Sequence, residues 1–278
     1  MATAAQLQDW KCSRSVALDR VTGRTFFAVS ALLFTGSAAL TAVWSRSMSA
    51  MGGMPMPGGW TMSMAWMPMP GQTWLAAASS FVGMWVVMMV AMMLPSLIPI
   101  LWRYREAIGG RLQVRASWLT ALVGMGYFSV WTVVGMAVFP VGVALADVEM
   151  QHSTLARAVP IAGGMVILIA AASQFTAWKA HHLASCRELP GVSHRSAANA
   201  PMAWRHGLRL GLHCVRGCAG LTAILLVLGV MDLRAMAVVT AAITFERIAP
   251  AGQRVARAIG IVAFGTGLFL ISQAARLA

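Results

Sequence analysis

Seven apolar runs set the strongest limit on how this chain folds. They lie near residues 25–44, 75–101, 118–145, 159–178, 208–230, 236–250 and 258–275. A helix needs about 20 such residues to cross the hydrocarbon of a bilayer. In lipid the backbone must satisfy its own N–H and C=O groups, so runs of this length fold as helices. The expected class is therefore all-α, a polytopic transmembrane helix bundle of about seven spans. The sixth run is the shortest and carries Glu246 and Arg247 near its end, so a re-entrant segment is the alternative there. A composition of 59% hydrophobic and 10% charged residues agrees with a membrane protein.

Lys and Arg number 21 against 8 Asp and Glu. In a soluble domain that excess would suggest nucleic acid; in this chain the positions of the cations matter more. All but Arg46, Arg157, Arg234 and Arg276 belong to the N-terminal segment or lie in, or flank, the connections after the second, fourth and sixth runs. The positive-inside rule then puts the N-terminus in the cytoplasm and the C-terminus outside. Trp44 and Trp74 at the outer edge and Trp102, Trp118 and Trp178 at the inner edge suit interfacial belts. The expected location is the bacterial inner (cytoplasmic) membrane, multi-pass, with lipid as a partner and no nucleic acid. The first run is long, with the charged flank of an uncleaved signal anchor. Residues 1–24 form a cytoplasmic segment and 25–278 one bundle, including an external loop at 45–74 and a cytoplasmic loop at 179–207. Neither loop is long enough to bury a core of its own.

The external loop reads MPMPGGWTMSMAWMPMPG over residues 54–71. Met54, Met56, Met67 and Met69 belong to its two copies of Met-Pro-Met-Pro-Gly, and Met48, Met51, Met62 and Met64 lie among them. The prolines exclude helix. Thioethers are soft, uncharged ligands that select Cu(I) or Ag(I) over hard ions. Such a loop either captures a soft ion or lies on the bilayer interface as adaptable apolar surface; the duplicated pentapeptide favours capture. In the second run Met84, Met88 and Met92 recur every four residues, as do Met89 and Met93. Each set lies along one helix face and leads inward from the loop, although Met at this spacing also serves plain helix packing.

At the opposite end come QFTAWKAHHLASCRELP and GLHCVRGCAGL. His182 and Cys186 are four apart, as are Cys214 and Cys218, so each pair shares a face if its segment is helical. Two to four of His181, His182, Cys186, Cys214 and Cys218 can then form one site for Cu(I), or less readily zinc. Lys179, Arg187 and Arg216 nearby would favour thiolate. Parallel Cβ directions and a reducing compartment argue against a disulfide. The competing reading is that the cysteines are small residues permitting close helix packing. Glu246 calls for a cationic partner, Arg216 or Arg254. Asp232 suits a turn or helix cap.

MMVAMMLPSLIP, QFTAWKAHHLASCREL, CVRGCAGLTAILLVLGVMDL and FERIAPAG together resemble an uncharacterised bacterial family of predicted metal-binding integral membrane proteins, over roughly residues 80–252. The resemblance implies metal handling at Cys186, Cys214 and Cys218. His182 stands where members tend to have Cys, which keeps a ligand, and Gly217 where many have a further Cys, which thins the site. Asp232 and Arg247 stand where Asn and Lys are common. No nucleotide-binding glycine loop, catalytic triad or H-E-x-x-H is present, so an enzyme is not expected. The function expected is binding, and movement or delivery, of a soft metal, most plausibly Cu(I), with a metallochaperone or metalloenzyme as partner. The alternative is an assembly factor or structural partner of a metalloenzyme complex, without transport.

Overall fold

A computed structural model describes the backbone of residues 4–50, 52–57, 60–63, 66, 67, 71–108, 113–187 and 199–277, with side chains for all of these except 4–22, 113, 114, 184–187 and 277. The chain order is α1 (Ala4–Ala50), β1 (Met54–Met56), β2 (Trp60–Met62), α2 (Trp74–Ile108), α3 (Gln113–Gln151), α4 (Ser153–Ser173), α5 (Ala177–Arg187), α6 (Ala200–Leu228), α7 (Leu233–Ile248) and α8 (Gly252–Leu277). The helical class agrees with the sequence reading, with one short hairpin added. Among the described residues six helices are long and apolar enough to cross a membrane: α2, α4 and α6 whole, α1 from Gly23, α3 from Arg115 and α8 to Arg276. The run at 236–250 becomes α7, which has 16 residues. At 1.5 Å per residue that is about 24 Å, short of the hydrocarbon thickness of about 30 Å.

The apolar pattern explains which helix lies inside. α2 is hydrophobic on all sides, and Trp85, Met88, Met89, Met93 and Leu97 on it are fully buried. α1, α3 and α7 pack around it. Pro95 and Pro99 lie within α2, and the helix continues through both. Trp85 Nε1 donates to the Trp131 carbonyl at 2.9 Å, tying α2 to α3. Between α6 and α7 the chain reverses at Gly229, whose φ of 119° suits glycine. Asp232 then caps α7, accepting from Arg234 N at 2.7 Å and Ala235 N at 3.1 Å, as its position suggested.

The proline-rich loop contains strands rather than a structureless tether. β1 and β2 pair antiparallel with Met54 opposite Met62 and Met56 opposite Trp60. The two-residue period puts Met54, Met56, Trp60 and Met62 on one face and the exposed Pro55 and Thr61 on the other. Met56 and Met62 are buried with Ala146 of α3 and Ala156 of α4, and Trp60 Nε1 donates to the Ala156 carbonyl at 2.9 Å. The loop thus has a small core after all, because it borrows one wall from the helices.

α3 and α6 make the closest approach. A Cβ at Gly207 would collide with the Val123 carbonyl oxygen, and one at Gly211 would lie 2.9 Å from that of Tyr127. Small residues four apart let two backbones meet in this way. Gly207→Val is therefore expected to destabilise the purified protein by about 3 kcal/mol or more, since the obstruction is backbone that cannot move aside. Gly265→Ala, where nothing lies within 4 Å, is expected to be neutral or slightly stabilising. Thermal unfolding in detergent compares them, and equal effects would remove close packing as the reason for Gly207.

Candidate metal centre

Three sulfur atoms from two helices meet in the core. Cys214 and Cys218, one turn apart on α6, are buried with their Sγ atoms 3.6 Å apart. Met93 of α2 brings its Sδ to 3.9 Å from Cys214 Sγ. The Tyr127 hydroxyl of α3 lies 2.8 Å from the same sulfur, placed there by the glycine-lined approach of α3 to α6. Cys218 Sγ donates to the Cys214 carbonyl at 2.7 Å, the helical back-bond open to a thiol. Both cysteines are free, as the helical spacing requires.

A layer of charge lies against the sulfurs. Arg247 of α7 places Nη2 3.9 Å from Cys218 Sγ and Nη1 3.3 Å from the Ser96 hydroxyl of α2. One residue earlier Glu246, almost fully buried, meets Lys179 Nζ of α5 at 2.8 Å. Lys179 also donates to the Gly217 carbonyl, a group inside α6 whose second lone pair is free of the helix ladder. The partner of Glu246 is thus Lys179, not the expected Arg216 or Arg254. The reason is the antiparallel packing of α5 on α6, which carries Lys179 inward while Arg216 stays exposed.

The same packing takes the histidines elsewhere. His182 packs edge-on to Trp178 at 4.5 Å between ring centroids and lies 5.8 Å from His213 and 5.6 Å from the exposed His181. Among the described residues, no three His, Cys, Asp or Glu side chains come together as ligands for one ion. The further soft atom beside Cys214 and Cys218 is the Met93 thioether, while His182 packs with Trp178, His181 and His213. The side chain of Cys186 and the whole of Met69 lie outside the described residues. Met88 and Met92 are buried in the core and Met84 packs against it, but the methionine that reaches the thiols is Met93 on the neighbouring face. Of the loop methionines Met56 is buried in the hairpin, while Met54 and Met67 are half-buried.

Ligands at 120° around an ion with metal–sulfur bonds of about 2.3 Å lie about 4 Å apart, close to the two separations from Cys214, 3.6 Å to Cys218 and 3.9 Å to Met93. Fold and site together define a helical bundle, with six helices long enough to span a membrane, around a buried sulfur centre. Residues 82–270 match the PpoB2 family, described as copper chaperones, and the chain belongs to that family. No curated protein and no solved structure matches it. The matched region contains the sulfur centre, Lys179, Glu246 and Arg247, and leaves out the hairpin. Family and donor chemistry together support copper handling.

Removing one member of the buried ion pair strands the other's charge. Glu246→Leu and Lys179→Met alone are each expected to cost about 3–5 kcal/mol, and the Lys179→Met/Glu246→Leu double variant much less than their sum. Unfolding in detergent across this double-mutant cycle checks it, and strictly additive losses would show that the two charges are uncoupled.

His182 supplies a pH dependence. Burial pushes its pKa below the ordinary value of 6.5, and positive charge on His213, His181 and Arg216 pushes the same way. The unfolded chain takes up this proton at higher pH than the folded one, so the stabilisation is complete above the unfolded pKa and is lost as pH falls towards the folded one. Melting temperature is expected to fall between about pH 7.5 and about pH 5, and less steeply in His182→Gln. An identical slope in that variant would exclude His182 as the group responsible.

Proposed function

We propose that the protein is a membrane-embedded Cu(I) carrier in which Met93, Cys214 and Cys218 hold the ion for delivery to a copper-dependent partner. The observation that carries this reading is the buried set of three sulfurs, with spacings of 3.6 and 3.9 Å about Cys214. Thiolate and thioether ligands select Cu(I), and burial of Cys214 and Cys218 in the core keeps water and oxidants from it. The Tyr127 hydroxyl can donate to the Cys214 thiolate and so hold its orientation without acting as a ligand.

Membrane placement rests on side chains the fold leaves uncovered. Leu32 is 71% exposed, Leu75 82%, Val262 69% and Phe269 62%. Surfaces this apolar on helices of spanning length are what lipid covers. With the basic end in the cytoplasm, the hairpin faces the periplasmic side. There Met54 and Met67 form an outer docking point for the soft ion, while Met56 and Met62 hold the hairpin together. The column Trp85, Met89, Met93 runs from that side towards Cys214 at one residue per turn, a sulfur-lined route for exchange of the ion. The chain works as a carrier, not as a catalyst.

Detergent-purified protein loaded anaerobically with Cu(I) against a competing chelator is expected to retain one ion per chain. Cys214→Ser and Cys218→Ser lose it, and Met93→Leu weakens retention by about tenfold or more, as removal of one of three soft ligands should. Leucine at Met54, Met56, Met62 and Met67 leaves the buried ion bound. Retention by the cysteine variants at the level of wild type would rule the centre out.

A further inference from the structure

Resting on the Cu(I) reading, we infer that Arg247 is a charge filter that makes the sulfur centre accept monovalent ions and reject divalent ones. The count follows from the groups around it. Bound metal keeps both cysteines as thiolates, giving two negative charges, and Met93 and Tyr127 add none. Lys179 and Glu246 cancel each other at 2.8 Å. Arg247, half-buried between Ser96 of α2 and Cys218 of α6, adds one positive charge at 3.9 Å from the sulfur. Arg216, also on α6, is turned to the exposed surface.

The empty dithiolate centre and its arginine therefore sum to one negative charge. A monovalent soft ion brings the centre to neutrality. A divalent ion such as Zn(II) leaves one net positive charge in surroundings of low dielectric, where an uncompensated charge is costly. Without Arg247 the arithmetic reverses: the divalent complex is neutral and the monovalent one carries a negative charge. Thioether softness alone favours Cu(I) through Met93, but Arg247 acts on charge, so the two preferences are separable by mutation. Ser96 positions the guanidinium: its hydroxyl oxygen accepts from Nη1 and aims Nη2 at Cys218.

The test is equilibrium dialysis of the full-length protein in detergent against Ag(I), a stable monovalent stand-in, and against Zn(II), with bound metal read by elemental analysis. Arg247→Gln is expected to raise Zn(II) affinity relative to Ag(I) by about tenfold or more, which corresponds to about 1.4 kcal/mol. Arg247→Lys keeps the charge and stays within about threefold of wild type. Ser96→Ala, which leaves the arginine in place but unanchored, shifts the ratio in the direction of Arg247→Gln by a smaller factor. It carries the test should Arg247→Gln fail to fold. An unchanged ratio in Arg247→Gln, or a lysine variant that behaves like the glutamine one, would overturn the charge filter and leave the Cu(I) carrier standing. Wild-type protein that binds neither ion would overturn both.

Discussion

Everything at the centre depends on how closely α3 and α6 approach. Gly207 and Gly211 remove the side chains that would hold the two backbones apart, so that a Cβ at Gly211 would lie 2.9 Å from the Tyr127 carbonyl. At that separation a tyrosine on α3 can reach a cysteine one turn further along α6, and its hydroxyl stands 2.8 Å from Cys214. The same helix face presents Cys218 towards α7 and the Gly217 carbonyl towards Lys179. In an apolar bundle without a hydrophobic drive between helices, small residues supply the contact area that holds the helices together. The close packing that stabilises the fold and the geometry of the donor set are thus one feature.

Charge is the second constraint. Ionisable groups inside an apolar bundle survive only if paired, and α7 brings in two at once, Glu246 and Arg247. They divide by face. Glu246 meets Lys179, which turns two costly charges into a neutral unit. Arg247 points to the sulfurs, with Nη2 3.9 Å from Cys218 Sγ and Nη1 on the Ser96 hydroxyl. The first turn of α7 is capped by Asp232, and its last turn brings Glu246 to Lys179 and Arg247 to Cys218.

Much of this organisation is legible in the sequence, and the reasons for the rest are specific. Seven apolar runs read as about seven spans, of which six are, among the described residues, helices long and apolar enough to cross a membrane, and a helical i, i+4 rule sufficed to bring Cys214 and Cys218 together. The role of α7 was less legible because its run carries Glu246 and Arg247 and falls below spanning length. Met93 was visible as the second member of a four-residue repeat with Met89. Choosing it over Met84, Met88 and Met92 requires knowing which face of α2 meets α6, and a helix apolar on all sides does not reveal that. The Lys179–Glu246 pair depends on the antiparallel docking of α5, a tertiary fact with no local signature. Gly207 and Gly211 did carry a signal, the small-x-x-x-small spacing, one turn before the cysteine pair.

The methionines show why residue type alone misleads. Met56 and Met62 owe their place to the strand period: alternate residues of Met-Pro-Met face the same way, and that face needs a flexible apolar side chain to fit against Ala146 and Ala156. Met93 owes its place to a helix period that sets it beside a thiol. Both are buried thioethers, and both contribute packing. What separates them is company. The hairpin sulfurs have other thioethers beside them, Met54 with Met56 and Met62, whereas Met93 lies 3.9 Å from a cysteine that is itself 3.6 Å from another. In a methionine-rich chain the position where thioether meets thiol is therefore set by tertiary packing, and buried methionines such as Met56 and Met62 show in addition the adaptability that makes Met a good filler of irregular apolar space.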